Sequence, residues 1–506
     1  MPADSAHAAA YQALCDHQRE TAKLASILGL LEWDERTKMP PAGGEYRAEQ
    51  IAYLAGEIHK RRTSPQVGQW LDQLADSPLA ADPHGDAGTV IRELRRDYDK
   101  KTKLPQALVE ELSRTSVIGQ QTWVESRKAD DFQKFQPILE KTLRLKRQEA
   151  AALGFDKSPY EPLLDDYEPG AKVSEVSATL AGLRDALTPL VHQIVGSGRR
   201  PDSAILKRDF PVAAQEAFGR EAAAAIGFDF SAGRLDVTDH PFCGGAGPRD
   251  VRITTRYDKN DFGDAFFSIL HEAGHGLYEQ GLPAEHYGLP TGEAASLGIH
   301  ESQSRMWENQ VGRSREFWEL FLPKAQQAFS SLAGVSLDGF YAAINEVKPS
   351  LIRVDADEVT YNLHILVRFE LEKAMIEDDL RAADLPAAWN EKYQQYLGVQ
   401  PPSDADGVLQ DVHWSAGLFG YFPTYSLGNL YAGQFFAQAA SDLGDLHAMF
   451  RRGEFRPLLD WLRQQIHRHG QRWSAAELAV KVTGKQLSHA AWFAQIRAKY
   501  GELYGL

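Results

Sequence analysis

The stretch SILHEAGHGLYEQ (268–280) puts two histidines and a glutamate within five residues. On a helix, His271 and His275 are separated by about 400° of turn, so both imidazoles leave nearly the same face, one turn apart. Two nitrogen donors at that spacing can share one Zn²⁺. Glu272 is rotated about 100° from His271. It is poorly aimed as a third ligand but can reach a water beside the metal and take its proton, which is the mechanism that an H-E-x-x-H pattern encodes. A catalytic zinc needs a third protein ligand and a vacant position. The extended pattern that adds a third histidine would place it at 281, where Gly281 stands. The strongest candidate is Glu301 in GIHESQSRMWEN (298–309), which follows a Gly/Pro-rich loop long enough to turn the chain back. From an antiparallel neighbouring helix its carboxylate would complete a His₂Glu set. His286, in the loop, and His300, pointing about 100° away from Glu301, are rival ligands. The donor set suits Zn²⁺ and also admits Co²⁺ or Mn²⁺.

These residues need rigid elements to hold them, and most of the chain reads as helix. Asp261 can cap the helix that carries the histidines, with Asp264 in its first turn and Gly281 as its stop. HESQSRMWENQVG continues as a second helix. Over 174–195, Val176, Leu180, Leu183, Leu187, Leu190, Val191 and Ile194 recur at spacings of three and four, one apolar stripe between a Ser174 cap and Gly196. Residues 136–153 predict another helix, with Pro137 in its first turn and Gly154 as its end. RDVRITTRYD (249–258) alternates in the period of a strand, and RLDVTDHPF (234–242) is its candidate partner. The expectation is a mainly α protein with a small sheet just before the histidine helix.

The 506-residue chain carries a net charge of −15 and is 43% hydrophobic and 25% charged. An acidic surface argues against nucleic acid and anionic membranes as main partners. No apolar run approaches the length of a membrane span, and the first residues lack the pattern of a signal peptide. Cys15 and Cys243 are the two cysteines. They fit free thiols in a reducing cytoplasm, without a disulfide framework. No repeat or interdomain linker is evident.

Several further motifs carry a family resemblance. HPF (240–242), DVRIT (250–254), HEAGH (271–275), HESQ (300–303), IRVDAD (352–357) and GVLQDVHW (407–414) occur in an order and at spacings similar to those of the M32 family of metallocarboxypeptidases. LEWDERTKMPPAGGEYRAEQ (31–50) and YEPG (167–170) extend the similarity toward the N-terminus. The resemblance implies one catalytic domain over 1–506, built as a helical two-lobed clamshell around a deep groove, similar to neurolysin-like and angiotensin-converting-enzyme-like peptidases. It implies removal of single residues from peptide C-termini, by a zinc enzyme that is often a homodimer.

That activity assigns further roles. Beside Glu272 as general base and acid, the oxyanion needs a donor beyond the metal. Tyr425 in FGYFPTYSLGN (419–429) is the first choice by similarity to related clefts, and Tyr421 the second. His413 in QDVHW is a candidate hydrogen-bond partner of the substrate or intermediate. A C-terminal carboxylate suits a guanidinium fork. Arg353 is the candidate, with Asp355 or Asp357 as its structural partner otherwise. DVRITT could offer its edge to an extended peptide, which would bring Arg252 to the cleft, with His240 and Phe242 on the same wall. Two alternatives remain at this point: an endo-oligopeptidase with the same zinc chemistry, or a helical binding protein with a structural metal.

Overall fold

The computed structural model describes residues 3–506. The architecture is mainly helical, with one small sheet. Two groups of helices bury separate cores. The larger body gathers helices from Phe132–Leu153 onward around a single apolar core. An N-terminal layer, which includes Ala3–Thr37, Pro65–Leu74 and Asp86–Lys103, has its own small core of residues such as Leu14, Leu71, Leu74 and Val90. The layer takes Leu289 of the body into its own core, Arg472 pairs with Asp86 at 2.6 Å, and His84 stacks on Trp473 at 3.6 Å between centroids. A cavity of about 710 Å³ lies between layer and body, lined by Gln18 and Ala22 on one side and by Cys243, Glu279 and His300 on the other.

The apolar stripe of 174–195 becomes the helix Val173–Gly196, and all seven stripe positions are buried. The helix expected to begin at 136 starts earlier, at Phe132, because the Asp131 side chain accepts the Lys134 amide and caps it. Pro137 is therefore inside that helix rather than in its first turn.

The sheet has strands β1 (Gly233–Val237), β2 (Cys243–Gly245) and β3 (Val251–Thr255), in the order β1-β3-β2. RLDVTDHPF does supply a partner, β1, parallel to β3, while β2 runs antiparallel on β3's other side. β3 is thus central, and the expectation that it offers an edge to a peptide is corrected: β1 and β2 hold the edges. Ile253 on β3 packs against the histidine helix beside Gly276.

Candidate active site

The histidine helix spans Phe262–Glu279, capped by Asp261, whose side chain accepts the Gly263 and Asp264 amides. It ends two residues before Gly281. Its partner is the helix Leu297–Arg305, which runs on as a π-helix over Met306–Val311 rather than as regular α-helix. The two helices cross at Gly274: a Cβ there would lie 2.6 Å from the carbonyl oxygen of Gln303 and from Cα of Ser304. The glycine that weakens an isolated helix is what lets Glu301 approach the histidines.

Ligand atoms of His271, His275 and Glu301 all lie within 4.8 Å of one another. Glu301 Oε2 is 3.7 Å from His271 Nε2 and 3.4 Å from His275 Nε2. Ligands about 2.0–2.2 Å from one tetrahedral Zn²⁺ are themselves about 3.3–3.6 Å apart, so the three donors fit one such ion. His275 has its pKa pushed down to about 3 by burial, which keeps the imidazole neutral and able to donate a lone pair. Arg305 and both histidines more than offset the burial of Glu301 and hold it ionised.

Each donor is held from behind. His271 Nδ1 meets Glu308 Oε2 at 2.9 Å. His275 Nδ1 meets His300 Nδ1 at 2.5 Å, and His300 Nε2 meets Glu279 Oε1 at 2.8 Å. Glu301 Oε1 accepts from Arg305 Nε at 2.7 Å. Such outer partners fix ring orientation and donor strength. His300 therefore sits behind His275 rather than beside Glu301, and His286 is bonded to Thr291 away from the cluster. The π turn carries Glu308 back to His271, a use common for such turns at functional sites. Glu272 is buried, and burial pushes its pKa up to about 7.

A second cluster gathers cations. Arg353 donates from Nε and Nη2 to Asp411 Oδ1 at 2.9 and 2.8 Å, and from Nη1 to the Tyr361 hydroxyl at 3.3 Å. Arg368 Nε donates to Asp411 Oδ2 at 2.5 Å. The partner of Arg353 is thus Asp411, not Asp355 or Asp357. Asp357 instead accepts the Lys348, Val359 and Thr360 amides. The Tyr425 hydroxyl is 3.5 Å from His413 Nε2, the Tyr421 and Tyr425 rings are 5.3 Å apart, and the Arg353 guanidinium lies 5.3 Å from the Tyr425 ring. Burial brings His413 down to about 4, so it is neutral. Tyr361 bridges the two clusters, with the Arg305 guanidinium 4.4 Å from its ring centroid and its hydroxyl on Arg353.

These geometries have close relatives. A family model described as "Carboxypeptidase Taq (M32) metallopeptidase" matches residues 13–500. The chain belongs to that family. It is 50% identical to thermostable carboxypeptidase 1 of Thermus thermophilus, over 98% of this chain and 99% of that relative. It is 39% identical to carboxypeptidase 1 of Bacillus subtilis, over 95% and 96%. Among solved structures, an M32 carboxypeptidase from Deinococcus radiodurans R1 superposes with a TM-score of 0.94 at 42% identity, covering 98% of this chain and all of that one. M32 membership makes this chain a metallocarboxypeptidase and disfavours the oligopeptidase and binding-protein alternatives.

Three residues expected near the M32 cleft are not brought to either cluster. Arg252 pairs with Asp250 at 2.8 Å and lies 4.3 Å from the Trp33 ring. It leaves the opposite face of β3 from Ile253, toward the N-terminal layer, because neighbouring strand residues alternate faces. His240 is exposed on the segment leading into β2, and Phe242 hydrogen-bonds Thr254 through its backbone. Sequence reasoning also missed Arg305, Glu308, Tyr361, Arg368 and Asp411. Arg305 had a readable signal, since a residue four along a helix from Glu301 shares its face. Asp411 lay within a quoted motif, but nothing local pairs it with Arg353.

Proposed function

We propose that this M32 enzyme is a carboxypeptidase in which His271, His275 and Glu301 hold one divalent ion, Zn²⁺ by preference with Co²⁺ or Mn²⁺ able to replace it. The observation that carries the reading is the convergence of three donors within 4.8 Å beside a buried glutamate. When bound, the ion polarises the scissile carbonyl and acidifies an attacking water. Glu272 takes the proton of that water and returns a proton to the leaving amine. A carboxyl brought by burial to about 7 is suited to both transfers near neutral pH. Glu308 and His300 keep the two imidazoles in the orientation that exposes Nε2. Tyr425, with Tyr421 second, donates to the oxyanion, and His413 steadies the tyrosine and the substrate beside it.

Arg353 anchors the substrate's terminal carboxylate. Arg353 and Arg368 share one carboxylate, Asp411, so the cluster keeps one unit of positive charge for a substrate anion. The Nη1 edge beside Tyr361 and Tyr425 is the part of the fork not committed to Asp411. Arg252 and His240 take supporting roles in this reading, on the sheet wall. The chain acts as one catalytic domain over 1–506, on peptides of broad C-terminal residue, as a cytoplasmic homodimer. Free thiols at Cys15 and Cys243 fit that compartment.

The test is a mass-spectrometric time course on one unstructured peptide as free acid and as C-terminal amide. The expected result is a ladder losing one residue at a time from the acid alone, abolished by chelator and restored by Zn²⁺ or Co²⁺. Internal cuts in both peptides would remove Arg353 from its role. Unchanged cleavage after complete metal removal would remove the metal centre.

A further inference from the structure

The YEPG segment (167–170) has no part in the chemistry above, yet it meets the helix that carries Glu301. The first turn of any helix leaves amide groups without intrahelical partners. In Leu297–Arg305, three of them are satisfied by one device. The Leu297 amide donates to the carbonyl oxygen of Tyr167 at 3.0 Å. The Gly298 amide donates to Glu168 Oε2 at 3.1 Å. The Ile299 amide donates to the hydroxyl oxygen of Ser296 at 3.0 Å, beside Glu168. Tyr431 donates to Glu168 Oε1 at 3.1 Å from the helix Phe422–Leu443. Glu168 is only 2% exposed. Its fit is close: a Cβ at position 298 would lie 2.7 Å from Glu168 Oε2.

This helix start is short and consequential. Its next two residues are His300, which bonds His275, and Glu301. A carboxyl group at a helix N-terminus is also favoured by the helix dipole. We propose that Glu168 is a positioning residue for the metal centre, clamping from a distant segment the turn that aims Glu301 and His300. The proposal rests on the reading of Glu301 as a metal ligand.

Glu168 also lines a cavity of about 800 Å³, together with Val176, Leu427, Tyr431 and Trp473. Water entering from that side can replace a lost carboxylate, so Glu168→Ala keeps the global fold while the helix start loosens. Metal affinity, measured by competition against a chromophoric chelator, and the visible spectrum of the Co²⁺ form read the effect directly. Glu168→Ala is expected to weaken Co²⁺ binding about tenfold, in line with the loss of other outer supports of metal ligands, and to alter the Co²⁺ spectrum. Glu168→Gln keeps an acceptor for the Gly298 amide and is expected to lose no more than about threefold. Gly298→Ala, which displaces the carboxylate, should resemble Glu168→Ala, and Tyr431→Phe should fall between the two. A merely structural glutamate would lower the melting temperature and leave affinity and spectrum at their wild-type values, which would overturn the proposal. If Glu168→Ala does not fold, wild-type affinity in both Gly298→Ala and Tyr431→Phe overturns it equally. Wild-type affinity in Glu301→Gln would instead overturn the ligand assignment on which the proposal stands.

Discussion

The two ends of the site are both buried, charged clusters, and they are balanced differently. At the histidine end, Glu301 and Glu308 pair with Arg305 and Arg313, with His275 held neutral. At the other end, Arg353 and Arg368 both pair with Asp411, with His413 held neutral. Burying charges costs several kcal/mol per ion unless they are paired. At the first end the paired carboxylates are matched by guanidiniums, while the second keeps a cation in excess. In the function proposed above, a divalent ion would complete the first and a terminal carboxylate the second. Tyr361 spans the distance between them, touching Arg305 with its ring and Arg353 with its hydroxyl. On the proposed assignment a carboxypeptidase needs both ends: the metal would act on any peptide bond, while the surplus cation would select the last one.

The largest expected effect breaks the histidine end chemically and leaves it electrically simpler. Glu272→Gln should retain about one bound metal per chain while kcat falls by roughly 10³-fold, within the range of general acid–base contributions. Metal analysis beside steady-state kinetics checks this, and near-normal turnover in that variant would take the proton transfers away from Glu272. Next comes the other end. Arg353→Ala leaves Asp411 paired with Arg368, so the fold should survive. kcat/KM on free-acid peptides should fall by about 10²-fold, the loss expected when one partner of a buried charge pair with the substrate is removed. A loss confined to melting temperature would make Arg353 a structural residue.

The contrast was only half legible in the sequence. Spacing put His271 and His275 on one face, and helix periodicity found the core stripe of 174–195 because both depend on local geometry alone. Glu301 could be proposed because a loop and a second helix follow the histidines. The supports could not. Asp411 reaches Arg353, and Glu168 reaches Gly298, across long stretches of chain, and no local pattern records such pairs. Glu308 depends on a π turn that an α-helical reading would aim elsewhere. Alternation identified β3 as a strand but said nothing of its central position, so the edge expected of DVRITT, and with it the route of Arg252 to the cleft, does not exist. Pro137 suggested a helix start that the stronger side-chain cap at Asp131 supplies earlier.

A smaller effect should separate holding the metal from using it. Glu308 is kept ionised, at about 2, because Arg305, its bond to His271 and Arg313 outweigh its burial. Glu308→Gln keeps the shape and loses the charge behind His271. Metal affinity should fall by about tenfold, while kcat at saturating metal should change far less than in Glu272→Gln. Equal losses in both quantities would mean that Glu308 takes part in the chemistry itself.

The smallest effect concerns a buried acid at the cationic end. Glu372 is fully buried and accepts from Tyr160, from Trp414 Nε1 at 3.0 Å and from the Gly420 amide at 3.3 Å, which ties down the segment immediately after His413. Burial pushes its pKa up to about 8 despite these bonds. A carboxyl whose folded value exceeds its unfolded value, about 4.3, favours the fold when protonated. Its contribution is complete below the unfolded value and is lost as pH rises through about 8. The slope is at most about 1.4 kcal/mol per pH unit. Melting temperature measured from pH 5 to 9 should therefore decline more steeply in the wild type than in Glu372→Gln, which cannot ionise. Glu308 predicts no such slope over the same range, since its value lies far below it. Parallel curves for wild type and Glu372→Gln would mean that Arg368, rather than protonation, balances Glu372. The cationic end would then be electrically balanced before any substrate arrives, and the asymmetry between the two ends would reduce to the metal alone.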